Sequence, residues 1–125
     1  MFDKLLVSAI EKIGPEVTVA VRGGPVLNDA TLEDARATGI CQVAKTISTG
    51  SNLSGIVLEE CSKEFVDTFR TSDLIISKGQ ANFETLLNIS GKPATVYILK
   101  VKCDLIARHL GSRVGSTRII LDAAG

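Results

Sequence analysis

The chain has 125 residues, 45% of them hydrophobic and 22% charged, which excludes disorder and suits one globular domain with a single core. Fourteen basic and 14 acidic side chains leave a formal net charge of zero, excluding an overall electrostatic pull toward nucleic acid or an anionic membrane. No apolar run approaches the length of a membrane span.

The chain opens on a helical pattern. Phe2, Leu5, Leu6, Ala9, Ile10 and Ile13 share one face, and Gly14-Pro15 ends it. The β-branched run Val17-Thr18-Val19-Ala20-Val21 predicts a strand, stopped by Gly23-Gly24-Pro25. Thr31-Leu32-Glu33-Asp34 fits a capping box with an acidic third position, so a helix starts at Thr31. Asn28 and Asp29 then fall in the strand-to-helix turn, where α/β proteins keep their ligands. Two readings stand side by side. Asx side chains hydrogen-bond their own backbone and recur in turns for that reason. Alternatively, Asp29 offers a hard oxygen donor to a divalent cation.

A second strand, Val43-Ala44-Lys45-Thr46-Ile47, leads into Ser48-Thr49-Gly50-Ser51-Asn52. A helix carries Phe65, Val66 and Phe69, and the short apolar run Asp73-Leu74-Ile75-Ile76 precedes Ser77-Lys78-Gly79-Gln80. Helix is predicted from Asn82 to Leu87, strand from Thr95 to Leu99, and a helix lined by Cys103, Ile106, Ala107 and Leu110 that Gly111 ends. The last run, Arg118 to Leu121, reads as a strand of unassigned direction. This switching between strand-like and helix-like periods sets the class as α/β with parallel βαβ units. The three cysteines, Cys41, Cys61 and Cys103, lack metal-ligand spacing and sit in apolar patterns, so buried free thiols in a reducing cytoplasm are expected. The start of the chain has no basic region or cleavage site of a signal peptide, and a cytoplasmic location is expected.

Parallel strands put their carboxyl ends on one sheet edge. That would collect Asn28-Asp29, Gly50-Ser51, Lys78-Gly79 and the neighbourhood of Lys100, a set suited to an anionic ligand. Lys78 and Lys100 supply positive charge, helix N-termini supply N–H donors, and Asp29 a metal that bridges to the same phosphate. Read alone, each has a plainer account. The lysines also suit solvated surface positions, Asn82 the start of a helix, and His109 a favourable place at a helix C-terminus.

Gly23-Gly24-Pro25-Val26-Leu27-Asn28-Asp29-Ala30-Thr31, Ile47-Ser48-Thr49-Gly50-Ser51, Asp73 to Glu84 with its Lys78-Gly79-Gln80-Ala81-Asn82 core, and Leu99-Lys100-Val101-Lys102-Cys103 together resemble the family once called domain of unknown function 89. Its members are damage-control phosphatases with an ARMT-like fold. The resemblance runs in order over nearly the whole chain and is closest to the short archaeal and bacterial-type branch. It implies a three-layer Rossmann-like fold with a mostly parallel sheet flanked by helices. It also implies metal-dependent hydrolysis of small phosphorylated metabolites, with manganese, cobalt or nickel. Carried over by motif, Asp29 resembles the family's metal-binding aspartate and Lys100 its phosphate-contacting lysine. Gln80 to Glu84 matches the segment lining the substrate pocket, with Asn82 its best-matched member, and Lys78-Gly79 the motif just ahead.

The family also carries an Asp-Asn-x-Gly-Glu motif, whose first two residues are metal ligands, a few residues before the sequence that resembles Phe2-Asp3-Lys4-Leu5-Leu6. Here the sequence begins at Met1, after that motif and after the family's N-terminal helical region. The expectation is therefore a single α/β domain over residues 1–125, equivalent to the C-terminal portion of the family's domain, with weak metal binding and little turnover. Asp3 and Asp122 are not expected to substitute. Apolar surface left uncovered points to a homodimer. The rival is a noncatalytic α/β module that binds a phosphate ligand or serves as an assembly fragment. A dinucleotide oxidoreductase is disfavoured, because no G-x-G-x-x-G follows a strand.

Overall fold

The computed structural model describes residues 2–26 and 29–123. It is mixed α/β with mostly parallel strand pairing, and it divides into two compact units. One comprises Met1–Leu53 and Leu58–Val66, the other Ser54–Val57 and Asp67–Gly125.

In the first unit, α1 (Phe2–Lys12), β1 (Thr18–Val21), α2 (Leu32–Thr38) and β2 (Lys45–Ser48) follow in order. β1 and β2 pair in parallel from Thr18↔Lys45 to Val21↔Ser48. The capping box forms as the sequence predicts. The Thr31 hydroxyl accepts from Asp34 N while the Asp34 carboxylate accepts from Thr31 N at 2.9 Å. β2 begins later than its apolar run suggests, because a 3-10 turn over Ile40–Gln42 continues through Val43 and Ala44, whose N–H groups both donate to Ile40 O. Val21, Ala35, Ile40, Ile47 and Phe65 are buried.

The apolar face of α1 is largely exposed, in line with the apolar surface expected from the sequence. Val7 is buried, whereas Leu5 and Ile13 are 63% and 80% exposed. Val17 N donates to Glu11 Oε1 at 2.9 Å. Val7 and Glu11, four residues apart, share a helix face, so the buried residue and the bond to Val17 lie on the same side of the helix.

The division between units falls within α3 (Lys63–Thr71). The second unit continues with β3 (Leu74–Lys78), α4 (Gln80–Leu86), β4 (Ala94–Lys100), α5 (Asp104–His109) and β5 (Thr117–Asp122). β3 and β4 are parallel, and β5, whose direction the sequence left open, pairs antiparallel to β4. Side chains alternate between sheet faces. Ser77, Thr95, Tyr97 and Leu99 point to the buried face, with Phe83 and Leu86 of α4 and Ile106 and Ala107 of α5 also in the core. Phe83 and Tyr97 meet edge to face at 5.0 Å between centroids, worth about 0.5–1.5 kcal/mol beyond the area they bury. Lys92, itself buried, pairs with Asp122 at 2.8 Å and ties β5 to the start of β4.

The other face of this sheet carries apolar side chains without a cover. Leu74, Ile76, Ile119 and Leu121 are 52%, 40%, 72% and 70% exposed, and the register places them on one face. The cysteines also depart from expectation. All three are free, but Cys41 is exposed and Cys61 and Cys103 are half-buried. They lie in or beside short turns and at the start of α5, positions at the ends of elements rather than on the faces that form the core. Among the described residues no helix is long and apolar enough to cross a membrane.

Candidate functional site

The strands occupy two sheets, one in each unit, and the carboxyl ends of each sheet carry their own candidate residues. In the first unit β1 and β2 are locked just beyond their last paired residues. Thr49 N donates to Val21 O at 2.8 Å and Gly23 N to Ser51 O at 2.9 Å. A Cβ on Gly23 would lie 2.8 Å from Gly50 C and Ser51 N, so this approach of two backbones requires glycine. Thr49 and Ser51 are buried, and the Thr49 hydroxyl both donates to Ser51 O and accepts from Ser51 N. Gly50 and Ser51 thus form the rigid wall of this edge, and Ser62 N fastens it from behind by donating to Thr49 O at 2.8 Å.

The segment after β1 closes on itself. Arg22 N donates to Ala30 O, Asp29 N donates to Val26 O, and Arg22 bridges in parallel to Thr31. Asp29 is therefore presented from a closed loop at the carboxyl end of β1. Its carboxylate Oδ2 accepts from Arg22 Nε at 2.8 Å; Arg22 is 7% exposed and Asp29 44%. Asn28 lies outside the described residues. Sequence reasoning missed Arg22, although the signal was there: a cation ending an apolar strand, immediately ahead of two glycines.

An ionised carboxylate accepts about four hydrogen bonds or ligand bonds. Arg22 occupies one side of Asp29, and the accessible remainder is a hard oxygen donor of the kind divalent cations prefer. Asp29 thus fits one coordination position of a divalent ion.

In the second unit Lys78 ends β3 and Lys100 ends β4. Lys78 pairs in register with Ile98, and Lys100, two residues on, falls on the same face, so both ammonium groups are presented from one side. Both residues are exposed. Gly79, at φ +95°, turns the chain from strand to helix in a single residue, a conformation that L side chains resist. Its N–H donates to Ile98 O at 2.9 Å. α4 consequently begins at Gln80, two residues earlier than the pattern suggests.

The two amides beyond Gly79 are already engaged. Gln80 Oε1 accepts from Lys102 N at 2.7 Å, and its Nε2 donates to Glu84 Oε1 at 2.7 Å and to Cys103 Sγ at 3.4 Å. Asn82 Nδ2 donates to Lys78 O at 2.9 Å. Gln80 therefore anchors the segment after β4, and Asn82 fixes the end of β3. Both hold the backbone that carries Lys78 and Lys100. His109 ends α5, its ring 6.2 Å from that of Phe83.

With this geometry in view, residues 1–118 match the damage-control phosphatase ARMT1-like domain. A damage-control phosphatase of Pyrococcus horikoshii is 43% identical over 110 residues, which are 87% of this chain and 38% of that protein. Another, of Archaeoglobus fulgidus, is 38% identical over 115 residues, covering 91% of this chain and 40% of its own length. An uncharacterized protein of Methanocaldococcus jannaschii is 44% identical over 122 residues, 96% of this chain and 40% of that one. The crystal structure of a DUF89 family protein from P. horikoshii superposes with a TM-score of 0.86 at 41% identity, over 93% of this chain and 41% of the other. The chain spans about two-fifths of the length of the curated relatives it matches.

Proposed function

Because the chain belongs to the damage-control phosphatase ARMT1-like family, we propose that it takes part in metal-dependent hydrolysis of small phosphorylated metabolites in the cytoplasm, with Asp29 a ligand of a manganese, cobalt or nickel ion. The observation that carries this reading is the Asp29 carboxylate, held on one side by a buried arginine and open on the other at the carboxyl end of a parallel strand. When bound, such an ion polarises a phosphoryl oxygen and lowers the pKa of a coordinated water. The residues of the chain do the remaining work. Lys78 and Lys100 counter phosphate charge as compact, mobile cations. Gly50 and Ser51 hold the backbone of Gly23, next to Arg22, in place. Gln80, Gly79 and Asn82 hold the strand ends from which the lysines project.

One carboxylate leaves most of a coordination sphere to water, so the chain by itself holds the ion weakly and turns over slowly. The uncovered stripe of α1 and the open face of the β3-β4-β5 sheet are apolar surfaces of the kind that mark interfaces, which supports self-association into a homodimer. A single monomeric mass in light scattering would refute that part.

The test is hydrolysis of p-nitrophenyl phosphate with Mn²⁺, Co²⁺, Ni²⁺ or EDTA. It compares the chain, its Asp29→Ala variant and a version extended upstream through the genomic reading frame. Metal-dependent turnover that is strongest in the extended version and abolished by Asp29→Ala supports the reading. Phosphate binding without turnover in either folded wild-type version favours the noncatalytic module instead.

A further inference from the structure

Asp29 is not simply an acidic side chain on a turn. Its partner comes from the last position before the glycines, and that partner is almost wholly withdrawn from water. A buried guanidinium keeps its charge and must stay paired. Where Arg22 is locked by burial and by its backbone bond to Ala30 O, the carboxylate that serves it is locked as well. An aspartate on an exposed loop otherwise rotates about two side-chain bonds. Oδ2 is fixed at 2.8 Å on Nε, Oδ1 takes no part in that bond, and the side chain is 44% exposed.

We propose that Arg22 is the positioning residue of this edge: it acts through Asp29, holding one carboxylate oxygen so that the other meets the cation. The proposal rests on the reading of Asp29 as a cation ligand. A competing effect of Arg22 has the opposite sign, since its positive charge repels a nearby cation and its removal would tighten binding. Orientation and repulsion are therefore separable by substitution. An uncharged Arg22→Met weakens binding if orientation dominates and strengthens it if repulsion does. Arg22→Lys keeps the charge and a donor but not the planar geometry, and gives partial rescue relative to Arg22→Met.

The probe is Mn²⁺ alone, titrated into the millimolar range and followed by the electron paramagnetic resonance signal of the free ion, with circular dichroism on each variant. Loss of a partner that orients a metal ligand typically weakens binding about 10- to 100-fold. The expected result is a fall in that range for Arg22→Met, a smaller one for Arg22→Lys, and loss of the site in Asp29→Asn. Unchanged or tighter binding in a folded Arg22→Met overturns the positioning role while leaving Asp29 as ligand. Should that variant not fold, wild-type affinity in a folded Arg22→Lys overturns it equally. Mn²⁺ binding that is absent from the wild type, or survives Asp29→Asn at full strength, removes the ligand reading itself.

Discussion

The two units end their parallel strands in opposite ways. In the first, a buried arginine clamps the Asp29 carboxylate and the backbone beyond Arg22 is cross-linked by Gly23 and Ser51. In the second, the two lysines stand exposed at the strand ends, and the rigidity lies one layer back, in Gly79, Gln80, Asn82 and the densely packed face around Phe83 and Tyr97. The contrast matches the ligands of the proposed function: a cation demands fixed oxygen geometry, whereas a phosphate with several equivalent oxygens accepts point charges from several directions. It also separates two kinds of sensitivity, geometric in the first unit and core-dependent in the second.

The largest expected effect breaks the second unit's support. Phe83→Ala removes a ring that is 2% exposed and packed edge to face with Tyr97, costing about 3–5 kcal/mol in urea unfolding. Next, Gly23→Ala forces a Cβ against the Gly50–Ser51 backbone, with an expected loss of about 1–3 kcal/mol. Gly79→Ala meets no atom within 4 Å, so only its backbone conformation, φ +95° with ψ 154°, resists the side chain, at about 1–3 kcal/mol in urea unfolding.

These sites also show how far the sequence was legible. The helix at Thr31, the glycine break after β1 and the general α/β order follow from local chemistry, and capping and turn signals act within a few residues. The pairing of Arg22 with Asp29 and the engagement of Gln80 by Lys102 and Cys103 join positions that only the folded chain brings together. Periodicity finds the apolar stripe of α1 but not which of its neighbours become buried: Val7 does, while Leu5 and Ile13 stand exposed. Likewise, period-two alternation in β3 and β4 reads as near-continuous apolar sequence, and does not reveal that one face stays open. The division of five strands into two sheets has no local signature at all.

The smallest effect concerns the hydroxyl of Tyr97. Tyr97 is fully buried, and its Oη has no hydrogen-bond partner among the described residues. Burial, and then the charge of Asp122, raise its pKa above the usual 10.0. In the folded state the phenol keeps its proton at a pH where the unfolded chain releases it, so stability falls as pH rises through about 10 and beyond. Tyr97→Phe should remove that part of the alkaline slope in thermal melts. At neutral pH it should raise stability by up to about 1 kcal/mol, since an unpaired buried hydroxyl is unfavourable.

The most direct measurement is a crossed titration of Mn²⁺ and inorganic phosphate by calorimetry on Asp29→Ala and on the Lys78→Ala/Lys100→Ala pair, with wild type alongside. Each variant should lose its own ligand and keep the other: Asp29→Ala loses Mn²⁺ and retains phosphate, and the lysine pair the reverse. Wild-type Mn²⁺ affinity in Asp29→Ala, or wild-type phosphate affinity without both lysines, would contradict the division of labour between the two edges.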